Sequence, residues 1–89
     1  MKAVITVTGR DSVGIIAGVS ALCASAEANI VDITQSVSSG YFAMIMIVGI
    51  DSLNTGFSDF SDRLTEYGKA NGLVVTAVHE DIFNTMHHV

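Results

Sequence analysis

Residues 30–50 read IVDITQSVSSGYFAMIMIVGI, and no other stretch restricts the fold as much. In IVDITQSVS the side chains alternate. Val31, Ile33 and Val37 fall on one face, with Asp32, Thr34, Ser36 and Ser38 on the other. That period of two marks a half-buried strand with one dry face and one wet face. Ser39-Gly40 is a two-residue turn signal, and YFAMIMIVGI follows at once, so the stretch predicts a hairpin. Met44 and Met46 share one face of the second strand, which reads as core. That strand is apolar on both faces, which makes its other side a candidate contact surface.

The flanking segments set the rest. KAVITVT at 2–8 is rich in β-branched residues and reads as a strand that Gly9 ends. From Val13 on, Ile15, Ile16, Val19, Leu22, Cys23 and Ala26 recur at three- and four-residue steps, one face of a helix. Asp11 or Ser12 is placed to cap its start. Asn29, which tolerates left-handed backbone, is placed to close it. After the hairpin, DSLNTG offers a cap for a second helix carrying Phe57, Phe60, Leu64 and Tyr67 at helical spacing. Asn71-Gly72 stops that helix, LVVTAVH is a last strand, and Ile82, Met86 and Val89 predict a short amphipathic terminal helix. The expected architecture is α+β and ferredoxin-like, βαββαβ: a four-stranded antiparallel sheet with two helices on one face, plus a short C-terminal helix. A single domain over residues 1–89 is expected.

Charge narrows the function classes. The net charge is −5, and the four cations Lys2, Arg10, Arg63 and Lys69 are scattered, so no basic stripe faces a phosphate backbone. Direct nucleic-acid binding is not expected. The longest apolar run, residues 41–50, falls short of the ~20 residues that a membrane helix needs. The opening MKAVITVTG lacks the pattern of a secretory signal, so a cytoplasmic location is expected. A domain this small buries only about 60–65% of its unfolded surface, which makes self-association an expectation. Cys23, within an apolar helical run, reads as a small buried hydrophobe rather than a nucleophile.

The stretch TGRDSVGIIAGVS at 8–20 joins the first strand to the first helix. Free amides at a helix start, with the helix dipole, favour an anion there. Gly14, read as lying in the first turn, costs about 0.5–1 kcal/mol against alanine, so it requires a reason. Close packing and the approach of a ligand are the two on offer. The spacing is neither a Walker loop nor a dinucleotide fingerprint. Asn29 and Asp32 flank the start of the second strand, at the opposite end of the helix from its start. A site using both regions therefore requires a second subunit. His79, His87 and His88, with Glu80 and Asp81, do not form a converging ligand set, because adjacent histidines on a helix diverge by about 100°. No metal and no cofactor are expected, and no catalytic constellation appears.

These residues carry a family resemblance. The chain resembles an ACT domain, and more closely the short stand-alone bacterial and archaeal ACT-domain proteins related to the glycine cleavage system transcriptional repressor. The carriers are VTGRDSVGIIAGVS (7–20) with its Gly-x-Asp-x-x-Gly-Ile core, ANIVDITQ (28–35) and the EDIFNTMHHV tail. The resemblance implies a dimeric regulatory module binding an amino acid or related carboxylate where the first loop of one subunit meets strand two of the other. By position, Gly9, Asp11, Gly14 and Ile15 would form the loop, its amides toward the ligand carboxylate and Asp11 toward the ammonium. Asn29 and Ile30 would come from the partner. Side chains near Ser12, Ile15, Ile30 and Asp32 would set selectivity. The longer repressors resemble two such units in tandem, whereas this chain has one.

Two other classes compete with a homodimeric sensor that acts on a partner protein or pathway. One is an interaction module whose glycines serve packing. The other is a small metal-dependent or acylphosphatase-like enzyme, disfavoured because the loop lacks the arginine-flanked glycine pattern of acylphosphatases. No enzymatic activity is expected.

Overall fold

The structure is a computed structural model that describes residues 1–10 and 12–86. Strand β1 (Lys2–Arg10) leads into helix α1 (Ile15–Ser25), then β2 (Asn29–Ser38), β3 (Tyr41–Gly49), helix α2 (Phe57–Ala70), β4 (Leu73–His79) and a short helix α3 (Glu80–Met86). The four strands form one sheet in the order β2-β3-β1-β4, antiparallel throughout. This is the ferredoxin-like arrangement expected from the order of elements, with the additional C-terminal helix.

The hairpin forms as its turn chemistry dictates. Ser39 and Gly40 have φ of 53° and 80°, the two positive values of the tight turn that suits strand twist. Down β3, Phe42, Met44, Met46 and Val48 face the helices and are buried. The matching positions Ala3, Ile5 and Val7 of β1 and Leu73, Val75 and Ala77 of β4 complete the apolar floor. Onto it α1 presses Ile15, Val19 and Cys23, and α2 presses Phe60 and Leu64. The two helices touch where Gly18 of α1 meets Tyr67 of α2. A Cβ at Gly18 would run into the Tyr67 ring and hydroxyl, so a larger residue there would require Tyr67 to swing away. Gly68 does the same for α2 against β4, where a Cβ would meet the Leu73 carbonyl at 2.8 Å and Val75 Cγ2 at 2.9 Å.

Several local expectations are corrected. Gly9 does not end β1; it lies within the strand, opposite both Phe42 and Leu73. A Cβ there would come within 2.7 Å of Leu73 Cδ2, so this glycine serves close strand packing. The cap of α1 is Gly14, not Ser12, and Gly14 precedes the first turn rather than lying inside it. At the other end Glu27, with φ of 60°, takes the left-handed position, and Asn29 opens β2. The residues 51–56 do not cap α2 by a side chain; its N-cap Gly56 makes no such bond. They cap the end of α1 instead. Asn54 donates its side-chain amide to the Ser25 carbonyl (2.8 Å) and its backbone N–H to Ala26 (3.0 Å), while Ser52 donates its hydroxyl to Glu27 (3.0 Å).

The largest departure is β2. Its alternation predicts a half-buried strand, yet apart from the half-buried Ile30 every residue of β2 is exposed. The helices cover β3, β1 and β4, and β2 lies beyond them at the sheet edge. A bulge between Ile30 and Asp32 also removes Val31 from the alternation, leaving Ile33, Gln35 and Val37 on the helix side.

Candidate functional site

The two ends of α1 are finished differently. At its C-terminus the Leu22, Cys23 and Ala24 carbonyls accept the N–H groups of Ala26, Ala28 and Glu27, and the Ser25 carbonyl accepts the Asn54 amide. At its start Gly14 holds φ of 89° and offers no side chain, and no side-chain cap bond is made. The first intrahelical bond runs from Gly18 N–H to the Gly14 carbonyl at 2.9 Å. The N–H groups of Ile15, Ile16 and Ala17 precede it and find no acceptor among the described residues. Such a start concentrates donors and positive dipole at one point.

That point opens into a groove of about 460 Å³. Ser12, Gly14, Ile15 and Ile16 form its helix side; Gln35, Ser36 and Val37 of β2 form the other, over Phe42. A Cβ on Gly14 would meet nothing within 4 Å. Packing inside the protomer therefore does not explain this glycine. Its left-handed backbone does, and that same conformation leaves the helix start bare.

The expected site residues divide into two groups. Gly9, Ser12, Gly14 and Ile15 gather at one end of the sheet. Asn29 and Ile30 lie at the other: Asn29 pairs with Gly49 where Gly9 pairs with Phe42, seven residues away along β3. At ~3.3 Å per residue that is roughly 23 Å. Asn29 is exposed, and Ile30 is half-buried and packs against the core. Asp32 lies across from Ile47, on the sheet face away from the helices, and its carboxylate accepts the Ile33 N–H at 2.9 Å. Asp11 lies outside the described residues. Gln35, Val37, Ile16 and Phe42 line the groove without having been picked from the sequence. Gln35 carried the signal, being polar in the row of β2 otherwise held by Ile33 and Val37.

The remaining candidates are accounted for by local packing. Cys23 is fully buried, its Sγ lies 3.8 Å from Met46 Sδ, and burial pushes its thiol up to about 11. A thiol so held is a poor nucleophile at neutral pH. The His79 ring packs on Phe57 at 4.4 Å between centroids. His87 and His88 lie outside the described residues, among which no group of three or more His, Cys, Asp or Glu is close enough to hold a metal. The Arg10 guanidinium sits 5.8 Å from the centroid of the Tyr41 ring. No helix among the described residues is long and apolar enough to cross a membrane.

Comparison with known proteins agrees with the fold. The family model of the ACT domain matches residues 2–77. A UPF0237 protein of Clostridium perfringens is 43% identical over 89 residues, covering the whole of both chains. The solved ACT domain protein from Streptococcus pneumoniae superposes with a TM-score of 0.80 at 36% identity, covering 93% of each chain. A structure described as a glycine cleavage system transcriptional repressor gives a TM-score of 0.74 at 26% identity, with 86% of this chain matching 44% of that one.

Proposed function

The chain belongs to the ACT domain family, a family of regulatory ligand-binding modules, and from that premise we propose that it is a homodimeric sensor of a small amino acid or related carboxylate. In this reading residues 1–89 act as one domain without catalysis of their own, in the cytoplasm, and ligand occupancy changes how the dimer meets a regulated protein. The observation that carries the reading is the groove where the uncapped start of α1 meets the bare edge of β2.

The edge supplies the dimer. An edge strand of ten residues, paired with β3 on one side only, that exposes Val31, Ile33 and Val37 and carries a single charge, Asp32, is a template for pairing with another chain. Antiparallel pairing of β2 with its own copy about a twofold near Ile33 and Thr34 makes an eight-stranded sheet. It also brings the partner's Asn29 alongside Val37 and Ser38, at the mouth of the groove. The 23 Å that separates the two groups within one protomer is thereby closed across the interface. The side of α1 turned toward this edge, Ile16, Ser20 and Ala24, lies about 160° around the helix from Gly18 and carries no charge, so it continues the contact.

The site then has the chemistry that a zwitterion requires. The amides of Ile15, Ile16 and Ala17 receive the carboxylate at the helix start. Asp11 balances the ammonium, and the partner's Asn29 adds a side chain amide that can donate or accept. Gly9 holds the loop against β4, and Ser12 borders the ligand. Ile30 supports the Asn29 backbone from the core, and Asp32 anchors the same segment through its bond to Ile33. Thermal denaturation against the twenty amino acids tests the sensor. Binding to the native state adds RT ln(1 + [L]/Kd), so a ligand at ~100 Kd raises stability by about 2.7 kcal/mol. A flat response to all twenty contradicts it.

A further inference from the structure

Gln35 breaks the composition of the helix side of the sheet. Its row across the strands runs Gln35, Met44, Val7, Val75, and the last three are buried and apolar. Its neighbours along the same face of β2 are Ile33 and Val37. The only other polar side chain on that side among the described residues is His79, at the far end of the sheet and packed on Phe57. The carboxamide of Gln35 has no hydrogen-bond partner among the described residues, and it lines the groove below the start of α1.

We infer that Gln35 is the specificity-determining residue of this groove and selects ligands whose side chain carries a hydroxyl or carboxamide. This rests on the sensor reading above. With the ligand carboxylate fixed on the amides of Ile15 to Ala17, its side chain projects between α1 and β2 toward position 35. Ile15, Ile16, Val37 and Phe42 offer contact but no hydrogen bond; of the two lining hydroxyls, Ser12 lies at the helix start and Ser36 on the other face of β2. A carboxamide offers both an N–H donor and a carbonyl acceptor, so it matches a group that can do both. Gln35 is exposed in the single protomer; once the partner subunit covers the groove, an aliphatic ligand of equal size would leave the carboxamide unpaired, the condition under which a polar site discriminates strongly.

The test is calorimetric titration of the intact chain with three near-isosteric pairs, serine and 2-aminobutyrate, threonine and valine, glutamine and methionine. Wild type is expected to favour the polar member of the pair that fits by ~10-fold or more. Gln35→Met keeps the length of the side chain and removes its polarity; the ratio should fall to about one while light scattering shows an unchanged dimer. Val74→Thr, at an exposed position of β4 on the other edge of the sheet, should leave the ratio as in wild type. Preference for the apolar member in wild type overturns the assignment. So does a ratio that survives Gln35→Met, or one that Val74→Thr abolishes equally, and in each of these cases the sensor itself still stands. Wild-type protein that binds none of the six, nor any other amino acid, overturns the sensor and the assignment together.

Discussion

The sheet has two edges, and they are built on opposite principles. At β4, α2 lies close enough that Gly68 must be glycine, Leu73, Val75 and Ala77 are buried, and α3 follows directly from the strand end. At β2, three residues longer, no helix covers the strand, and Val31, Ile33 and Val37 are 51%, 37% and 57% exposed. Both strands carry an apolar alternation of the same kind. The difference teaches that an apolar face read from sequence says only that something will cover it. At β4 the cover is this chain's own helix; at β2 it is proposed to be a second copy.

The comparison breaks most visibly under added volume. Gly68→Val drives a branched side chain into the Leu73 carbonyl and Val75, and it should cost about 3 kcal/mol in urea unfolding. Thr34→Val adds a methyl in place of a hydroxyl at the exposed edge, and protomer stability should stay within about 0.5 kcal/mol. Charge probes assembly in the reverse sense. Ile33→Lys should weaken the dimer by ~30-fold or more in sedimentation equilibrium, about 2 kcal/mol, by placing an ammonium in the apolar seam. Val74→Lys, at a residue of β4 that is 65% exposed, should leave the dimer constant unchanged.

Beneath both edges lies the shared core, which pH can probe. Cys23 is held neutral by burial, with its thiol raised from 9.0 to about 11. The folded state thus favours the protonated form. Its contribution is complete below pH 9 and is lost as pH rises toward 11, on the order of 2 kcal/mol. Cys23→Ala should remove that part of the pH profile while lowering stability at neutral pH. A smaller effect belongs to Gly14. Gly14→Ala meets no steric neighbour but must hold φ of 89°, so it should cost about 1 kcal/mol from backbone strain alone.

Legibility in the sequence followed the range of the forces involved. The hairpin was readable because Ser39-Gly40 and the period-two pattern are local, and the order of elements then left few topologies open. The caps of α1 were not, because its end turns through Glu27 rather than Asn29 and its last carbonyl is closed by Asn54, more than two dozen residues away in a loop that resembles the cap of the next helix. The emptiness of β2 was hidden because alternation records which side is apolar, not which side is covered. Gly9 and Gly14 looked equivalent on either side of Arg-Asp-Ser-Val. In the fold one serves contact with Leu73 and the other a left-handed cap. Of the site, the helix start was legible as an anion position, whereas Gln35 was concealed by lying in a strand read for its apolar members.

A mixing experiment tests the shared site most directly. Asp11→Ala removes the loop carboxylate and Asn29→Ala removes the partner's amide, so each variant alone should bind no amino acid while remaining dimeric. In a mixed dimer one of the two sites draws its loop and its asparagine from unmutated positions. Equal mixing with full subunit exchange should therefore restore about a quarter of the wild-type sites in calorimetric titration. Titration that stays silent after verified exchange would place both residues in a single protomer's site and contradict a ligand held between two copies of this chain.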